Sequence, residues 1–356
     1  MASQALFQDL PPFPEDVPVA SMKKVPLAGL RSGDEATAKE VFAACQELGF
    51  FLLDLYGDDM GEETIAELDQ LFSGAKDIMD TPEDVKAKYL HNIPKNFLGF
   101  KPRGHAKTET GEYDRFEWFN LGQDGLMKNT PLQPLPPAVE SRVTEFTSFL
   151  KHGQTIADTI NSSLATQLGL PAATFSALQP PTAPSGTVIR LIKAFASPEA
   201  KQLRTSMHHH TDFGSITLLA NVVGGLQVLA PGKSPQDEGA WLWVRPQPGC
   251  LIVNLGDAMV KWTGGLLRSN IHRVNHAPGQ QRYVDRYSLA ILFRPTFNAS
   301  MKKLTVEGEE EDVEDANLTA RQWEINKTMS LATNPGSFVW ESKGGKPPAA
   351  AIQVAA

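Results

Sequence analysis

Apolar residues follow a helical period through much of the first half of the chain. Val41, Cys45 and Leu48 recur at spacings of four and three, and Asp34 stands where a helix N-cap is expected. We therefore predict a helix over 35–48. The same kind of pattern predicts further helices over 62–79, over 138–168 and, near the end of the chain, over 317–333.

Beyond residue 184 the pattern changes to short apolar runs that Gly and Pro interrupt. Many short strands at such spacing are typical of a sandwich or jelly roll, and not of a parallel doubly wound sheet. We predict an α+β fold with a mainly β core, a double-stranded β-helix (jelly roll) with flanking helices. The predicted strands cover 187–195, 215–222, 225–230, 240–244, 250–255 and 284–293, preceded by a buried strand at Phe50-Phe51-Leu52-Leu53.

The simplest division of the chain is one domain over residues 1–356. Residues 1–183 form its N-terminal helical and loop region, with long loops and short strands expected over 92–135. Residues 184–300 form the jelly-roll core that carries the candidate site. Residues 301–356 contribute a C-terminal helix and a tail rich in Gly, Pro and Ala, which is expected to fray.

Charge and cysteine content narrow the class of protein. The 356 residues carry 41 acidic against 33 basic side chains, a net charge of -8, which disfavours nucleic acid and anionic membranes as partners. Cys45 and Cys250 are the two cysteines, too few for a disulfide framework, which fits a reducing compartment. With no signal peptide and no apolar run of membrane-spanning length, we expect a cytoplasmic protein that acts on a small molecule.

A candidate metal site is formed by His210-Thr211-Asp212 and, sixty positions later, His272. Alternate residues of an extended strand share a face, so His210 and Asp212 point the same way. His208 shares that face as well, but its spacing to the acid is less suitable. Two imidazoles and one carboxylate are the ligand set that holds Fe(II) and leaves coordination positions open.

Two other interpretations fit these three residues taken alone. Histidine and aspartate also bind Zn²⁺, and a hydrolytic zinc site would keep an open position too. A solvated polar loop in which the histidines occur by chance is the other interpretation.

An arginine and a serine downstream favour the iron site over both alternatives. Arg286 and Ser288 are two positions apart in a strong strand pattern, so they share a face. A buried arginine needs an anionic partner, and its planar fork fits a carboxylate. We therefore expect a small dicarboxylate held by its distal carboxylate. A structural ion pair with Asp285 or Asp257 is the alternative.

Residues from about 25 to 335 resemble the isopenicillin N synthase-like branch of the Fe(II)/2-oxoglutarate-dependent dioxygenases. The general texture is similar to fungal members that act in secondary metabolism. The resemblance is carried by blocks in the family's order: Gly49-Phe50-Phe51, Gly99-Phe100-Lys101-Pro102, Asp114-Arg115-Phe116-Glu117-Trp118-Phe119, His210-Thr211-Asp212-Phe213-Gly214, Gly224-Gly225-Leu226-Gln227-Val228, Asn254-Leu255-Gly256-Asp257, His272-Arg273-Val274 and Arg286-Tyr287-Ser288.

The resemblance implies specific roles for these residues. His210, Asp212 and His272 would be the iron ligands, and Arg286 and Ser288 would bind the distal carboxylate of the co-substrate 2-oxoglutarate. The implied enzyme uses Fe(II), 2-oxoglutarate and O2 to hydroxylate, desaturate or oxidatively cyclise a small natural product, with succinate and CO2 as by-products.

Two alternatives remain within and beside this family. Isopenicillin N synthase also has an Arg-x-Ser pair, so an iron oxidase that does not use 2-oxoglutarate is one of them. A catalytically inactive protein that binds small molecules on the same scaffold is the other.

Candidates for the substrate pocket come from the first half of the chain and from the predicted strands. Phe195 stands where relatives usually have a tyrosine. Asn254 and Asp257 lie in a motif that mostly shapes a turn, so we expect both to be structural. The pocket candidates are Phe195, Thr217, Leu219, Asn221, Arg103 and Met207, with Phe97, Phe119, Arg294 and Phe297 as further positions.

Overall fold

The computed structural model describes residues 4–93, 96–105, 107–108, 111–304 and 318–333. The tail expected to fray lies outside the described residues. The predicted C-terminal helix lies within them from residue 318 onward.

The strands, numbered in chain order, form two sheets that pack face to face as a jelly roll, and the predicted fold class is confirmed. The larger sheet contains, in spatial order, β1 (Lys24–Pro26), β2 (Phe50–Asp54), β10 (Cys250–Leu255), β7 (Ile216–Asn221), β12 (Arg286–Leu292), β5 (Val188–Ala194), β4 (Phe116–Gly122) and β3 (Gly99–Lys101). The smaller sheet contains β6 (Met207–His210), β11 (His272–Val274), β8 (Leu226–Leu229) and β9 (Trp241–Trp243).

Helices cover the face of the larger sheet that points away from the smaller one, and the longest of them, α4 and α8, pack against each other and against its strands. The helices are α1 (Ala5–Gln8), α2 (Leu27–Arg31), α3 (Glu35–Glu47), α4 (Asp59–Met79), α5 (Glu83–Lys86), α6 (Gln123–Leu126), α7 (Pro137–Glu140), α8 (Val143–Gln167), α9 (Thr174–Ala177), α10 (Asp257–Trp262) and α11 (Ala320–Thr333).

Side chains alternate between the two faces of the larger sheet. In β5, Ile189 and Leu191 join the core beneath the helices, whereas Ile192 and Ala194 pack against Met207 of the smaller sheet. We call the face toward the smaller sheet the inner face. Residues paired across neighbouring strands share a face, so the residues of β4, β7 and β12 opposite these positions lie on the inner face as well.

Local signals explain where the predicted helices begin and end. Asp34 caps α3 as predicted, because its carboxylate accepts a hydrogen bond of 2.8 Å from the Thr37 amide. Helix α4 begins three residues before the predicted start, because Asp58 caps it through the Gly61 amide. The helix predicted over 138–168 is divided into α7 and α8.

The break between α7 and α8 falls at Arg142, whose backbone leaves the helical conformation. Its side chain donates back to the Ala138 carbonyl at 2.9 Å and pairs with Asp77 of α4 at 3.1 Å. The arginine therefore joins the two helical segments to a neighbouring helix.

One strand was missed in the region where loops with short strands were predicted. Strand β4 has seven residues and pairs along its whole length with β5. Its contacts come from a partner strand about seventy positions away, which a local pattern cannot indicate. Strands β1 to β4 thus lie in the same sheet as the later core strands, while the single-domain interpretation stays a prediction.

The helices also bear on membrane insertion. Within the described ranges, no helix combines the length and the apolar character that crossing a bilayer requires.

A stability prediction follows from the contact of α8 with the sheet. A Cβ added at Gly153 would lie 2.2 Å from Cδ1 of Ile291 in β12. Gly153→Ala gains helix propensity but overpacks the core, so we expect a net loss of about 1–2 kcal/mol in the free energy of unfolding. Ile291→Val removes the colliding atom. In denaturant titrations the double variant should lose less free energy of unfolding than the sum of the losses in the two single variants. Losses that add strictly would contradict the packing argument.

Candidate metal centre

The two predicted histidines face each other across a pair of strands. His210 ends β6 and His272 begins β11, and the two residues are direct partners in the antiparallel ladder of the smaller sheet. Their ring centroids are 4.3 Å apart. Strand pairing thus joins residues that are more than sixty positions apart in sequence.

Asp212 completes the cluster from the loop that follows β6. Its Oδ1 lies 3.9 Å from Nε2 of His210 and 3.9 Å from Nε2 of His272. One ligand atom from each of the three residues lies within 4.8 Å of the others. Strand β6 ends at His210, so the alternation of side chains along the strand does not by itself explain the position of Asp212. The loop that carries Asp212 is held in part by a hydrogen bond from the Asp257 amide to the Asp212 carbonyl.

Hydrogen bonds direct the ligand atoms of both imidazoles inward. Nδ1 of His210 lies 2.8 Å from the His208 carbonyl, and Nδ1 of His272 lies 3.1 Å from the Asn270 carbonyl. Because a carbonyl accepts only, each Nδ1 carries the proton and each Nε2 presents its lone pair to the cluster. The tautomers are therefore those that a metal at Nε2 requires.

The Asp212 carboxylate is oriented in the same way. Its Oδ2 accepts hydrogen bonds from the Thr217 hydroxyl at 2.6 Å and from the Asn254 side-chain amide at 2.8 Å. Oδ1 is left to face the two imidazoles. Asn254 was expected to be structural. It lies within β10, where its side chain points to the inner face and can hold Asp212. Asp257, by contrast, begins helix α10.

The protonation states suit a cation. Burial, together with the neighbouring His272, lowers the pKa of His210 to about 4, so its imidazole is neutral at neutral pH. Burial opposes ionisation of Asp212, but the two imidazoles and the hydrogen bonds from Asn254 and Thr217 prevail and lower its pKa to about 2. A neutral His210 imidazole and an ionised Asp212 carboxylate can bind a divalent ion without losing protons.

Arg286 lies on the same inner face and is almost fully buried, with 3% of its surface exposed. Its Nη1 donates to Ser288 Oγ at 3.0 Å, while its Nε is buried and has no hydrogen-bond partner. Burial lowers the pKa of this guanidinium to about 10, which leaves it charged at neutral pH. Gly225, whose φ is 128°, lies against the arginine stem, where a Cβ would be 3.2 Å from Arg286 Cδ.

The alternative of a structural ion pair for Arg286 is not supported. Asp285 pairs with Lys193 at 3.3 Å, and Asp257 accepts hydrogen bonds from Thr211 and Lys327. Within the part of the chain that the structure describes, no carboxylate is in ion-pair contact with Arg286. A buried charge in this state is costly unless an anion binds to it.

The structure places the pocket candidates of the predicted strands on or near the inner face. Thr217 contacts the Asp212 carboxylate, Leu219 packs between the two sheets, and Asn221 is the strand partner of Ser288. Met207 packs against the inner-face residues Phe116, Ile192 and Ala194.

The remaining candidates lie in other places. Arg103 is exposed, with its guanidinium 4.5 Å from the ring of Phe195, and Phe195 follows the end of β5. Phe119 packs against Phe100 on the helix-covered side. Phe97, Arg294 and Phe297 line one cavity of about 460 Å³, which Val188 of the inner face also borders.

Arg190 is a residue of the site that the sequence analysis missed. It lies on the inner face of β5, between Asn120 of β4 and Ala290 of β12. The available signal was an arginine in phase with the apolar residues Val188 and Ile192 of the strand Val188–Ala194. The charge of Arg190 contributes to the lowered pKa of His210, and the charge of Asp212 acts to raise the pKa of Arg190, so the arginine lies near the cluster.

Comparisons with known proteins agree with this geometry. Residues 187–295 match the 2OG-Fe(II) oxygenase superfamily, and residues 17–137 match the non-haem dioxygenase in morphine synthesis N-terminal family. The 2-oxoglutarate-dependent dioxygenase ecdG of Aspergillus rugulosus is 30% identical over 79% of this chain and 83% of its own length. A 2-oxoglutarate-dependent dioxygenase of Aspergillus fumigatus is 28% identical over 82% of this chain and 80% of its own length.

Solved structures show the same fold. A full-length Neurospora crassa protein in complex with alpha-KG superposes with a TM-score of 0.71 at 19% identity, covering 89% of this chain and 98% of that one. JOX2 in complex with 2OG, Fe, and JA superposes with a TM-score of 0.65 at 20% identity, covering 92% and 93%.

The jelly roll and its His-Asp-His cluster define the class of non-haem iron oxygenases. The chain belongs to the Fe(II)- and 2-oxoglutarate-dependent dioxygenases, as the matched family and the extent of the likeness to its curated members show. It is an oxidoreductase that uses Fe(II), 2-oxoglutarate and O2.

A metal-affinity prediction tests the orientation of Asp212. Thr217→Val and Asn254→Ala each remove one hydrogen bond to Oδ2, and we expect each to weaken Fe(II) binding roughly 10- to 100-fold, since the carboxylate can then rotate. Anaerobic titration with Fe(II) measures this affinity. Thr217→Ser keeps the hydroxyl and serves as the matched control. Wild-type affinity in Thr217→Val would show that this hydrogen bond does not position the ligand.

Proposed function

We propose that this protein oxidises a small natural product, by hydroxylation, desaturation or oxidative cyclisation, with 2-oxoglutarate converted to succinate and CO2. The observation that carries the proposal is the pairing of two features in the space between the two sheets. A His-Asp-His cluster, with a neutral His210 and an ionised Asp212, lies opposite the inner face, and a buried arginine without a carboxylate partner among the described residues lies on that face.

We assign the iron to His210, Asp212 and His272. The donor set fits Fe(II), because two Nε2 lone pairs and one carboxylate oxygen converge while the other atom of each ligand group is hydrogen-bonded. Three protein ligands leave positions for co-substrate and O2. When bound, the iron supplies activation of O2 at the expense of 2-oxoglutarate.

We assign the distal carboxylate of 2-oxoglutarate to Arg286 and Ser288. The arginine supplies a charge that is almost completely desolvated, and the serine hydroxyl lies 3.0 Å from its Nη1. Charge-assisted hydrogen bonds of this kind are about twice as strong as neutral ones. These residues would bind and orient the co-substrate, while the apolar inner face around them excludes water.

The substrate class is supported by the relatives of the chain and by its net charge. Curated relatives named as 2-oxoglutarate-dependent dioxygenases come from fungi such as Aspergillus rugulosus and Glarea lozoyensis, and small molecules are plausible substrates in this family. The net charge of -8 disfavours nucleic acid as substrate. Both cysteines are free and buried, which supports a reducing, cytoplasmic location.

Co-substrate binding can be tested without knowing the substrate. We expect anaerobic addition of Fe(II) and 2-oxoglutarate to produce a visible charge-transfer band, and Arg286→Met to raise the 2-oxoglutarate concentration for half-formation roughly 10- to 100-fold, because a charged hydrogen bond is lost. Arg282→Met, which replaces a partly exposed arginine nearby in the chain, should behave as wild type. Absence of the band in the wild-type protein would contradict both the iron and the co-substrate assignments.

Oxidation of a natural product is tested by turnover. We expect the Fe(II) protein to form succinate faster when a metabolite mixture contains its substrate, and mass spectrometry should find a product heavier by one oxygen or lighter by two hydrogens. His210→Ala should abolish both signals. Oxidation of the metabolite that proceeds undiminished without 2-oxoglutarate, and without succinate, would instead favour an oxidase of the isopenicillin N synthase type.

A further inference from the structure

A second arginine faces the interior of the jelly roll. Arg190 is enclosed by the protein but keeps some accessible surface. It lies on the inner face between Val188 and Ile192 of its own strand and beside Ala290 of β12, all of them apolar. A guanidinium in such surroundings is costly unless an anion offsets its charge.

The orientation of Arg190 is set by two contacts. Its Nε donates to Asn120 Oδ1 at 2.8 Å, and its guanidinium carbon lies 4.1 Å from the ring centroid of Trp118. Asn120 is itself oriented, because its Nδ2 donates to the Phe97 carbonyl at 2.7 Å. Asn120 thus occupies the Nε position of the guanidinium, and Trp118 covers one of its faces. The edge formed by Nη1 and Nη2 has no hydrogen-bond partner among the described residues.

No acidic side chain neutralises Arg190 within the described ranges. The other interior arginine on this side, Arg294, is paired with Glu324 at 3.4 Å. Asp212 is the carboxylate whose charge favours ionised Arg190, but the two are not in ion-pair contact and Asp212 is assigned to the metal. Burial lowers the pKa of Arg190 to about 9, so it stays charged at neutral pH.

The sum of charges in a site that holds Fe(II) and 2-oxoglutarate also indicates that Arg190 binds an anion. Fe(II) brings two positive charges, Asp212 offsets one of them, and the two carboxylates of 2-oxoglutarate offset the other and the charge of Arg286. The positive charge of Arg190 is then left over. A ligand with one negative charge would complete the balance.

Arg190 and Arg286 are too far apart to serve the same carboxylate. Arg286 is four residues along β12 from Ala290, the strand partner of Arg190, which corresponds to about 14 Å along the sheet. Arg190 instead lies two strands from Leu219 of β7, or about 10 Å, on the side of the metal ligands. The cavity bordered by Val188 begins one inner-face position further along β5 and offers space for the rest of a ligand.

We propose that Arg190 is a substrate-binding residue and that the substrate carries a carboxylate, which accepts two hydrogen bonds from the Nη1–Nη2 edge. Asn120 and Trp118 are positioning residues that present this edge. The inference rests on the proposed function, because it assigns 2-oxoglutarate to Arg286 and leaves Arg190 to the second reactant.

The test compares small acids with their uncharged analogues. Fe(II) protein saturated with 2-oxoglutarate is titrated anaerobically with 3-phenylpropanoate, octanoate and indole-3-acetate, and with the primary amide of each. We expect the wild-type protein to bind at least one acid roughly tenfold or more tightly than its amide. In Arg190→Met this preference should disappear while the amide affinity stays the same. Arg190→Lys should retain only part of it, since the two-pronged contact is lost.

A second variant keeps the arginine in place. Asn120→Asp puts a carboxylate beside Arg190 Nε and should also remove the preference for acids, because the charge of the arginine is then neutralised. If the wild-type protein prefers no acid over its amide, or if Arg190→Met keeps the preference, the inference is overturned.

Binding of 2-oxoglutarate separates this inference from the function on which it rests. We expect its affinity, followed by the charge-transfer band, to be unchanged in Arg190→Met. A failure of 2-oxoglutarate to bind the wild-type protein would overturn the proposed function. A loss of 2-oxoglutarate binding in Arg190→Met alone would show that Arg190 serves the co-substrate or the fold, and would overturn the inference only.

Discussion

The Asp212 carboxylate joins the two sheets of the jelly roll. One of its oxygens is held by Thr217 and Asn254 of the larger sheet, and the other faces His210 and His272 of the smaller sheet. A metal ion bound there would tie both sheets together at one point. The relative position of the sheets therefore decides the geometry of the ligands, and the packing of apolar residues between the sheets serves the chemistry as well as stability.

The inner face combines an apolar lining with charged groups that the protein leaves incompletely satisfied. Buried lysines among the described residues have close partners, such as Lys101 with Asp114 at 2.6 Å and Lys86 with Glu117 at 3.1 Å. Arg286 and Arg190 face the space between the two sheets, and neither has a carboxylate in contact within the described residues. Protein interiors tolerate such charges where a ligand completes them, so the two arginines indicate anions that enter from outside.

Much of the fold followed from local patterns. The six strands predicted after residue 184 lie within two residues of those observed, and Asp34 caps its helix as expected. Strand β4 was missed, because its register depends on β5 and not on its own alternation. The break at Arg142 was missed as well, since it reflects contacts with Ala138 and Asp77 that a helical period does not register.

The sequence by itself determined the class of the protein. Two histidines and one aspartate at the spacing that the family uses identified the metal cluster, and the Arg-x-Ser pair indicated a carboxylate site. Both could be identified from sequence because ligand chemistry depends on which side chains are present. Tertiary structure alone decided which groups orient the cluster and which charges remain unpaired. Asn254 became a partner of Asp212, and Arg190 became a candidate for substrate binding, because strand pairing brings together side chains from distant parts of the chain. Pairing partners and burial are properties of the assembled sheets, and no single segment contains them.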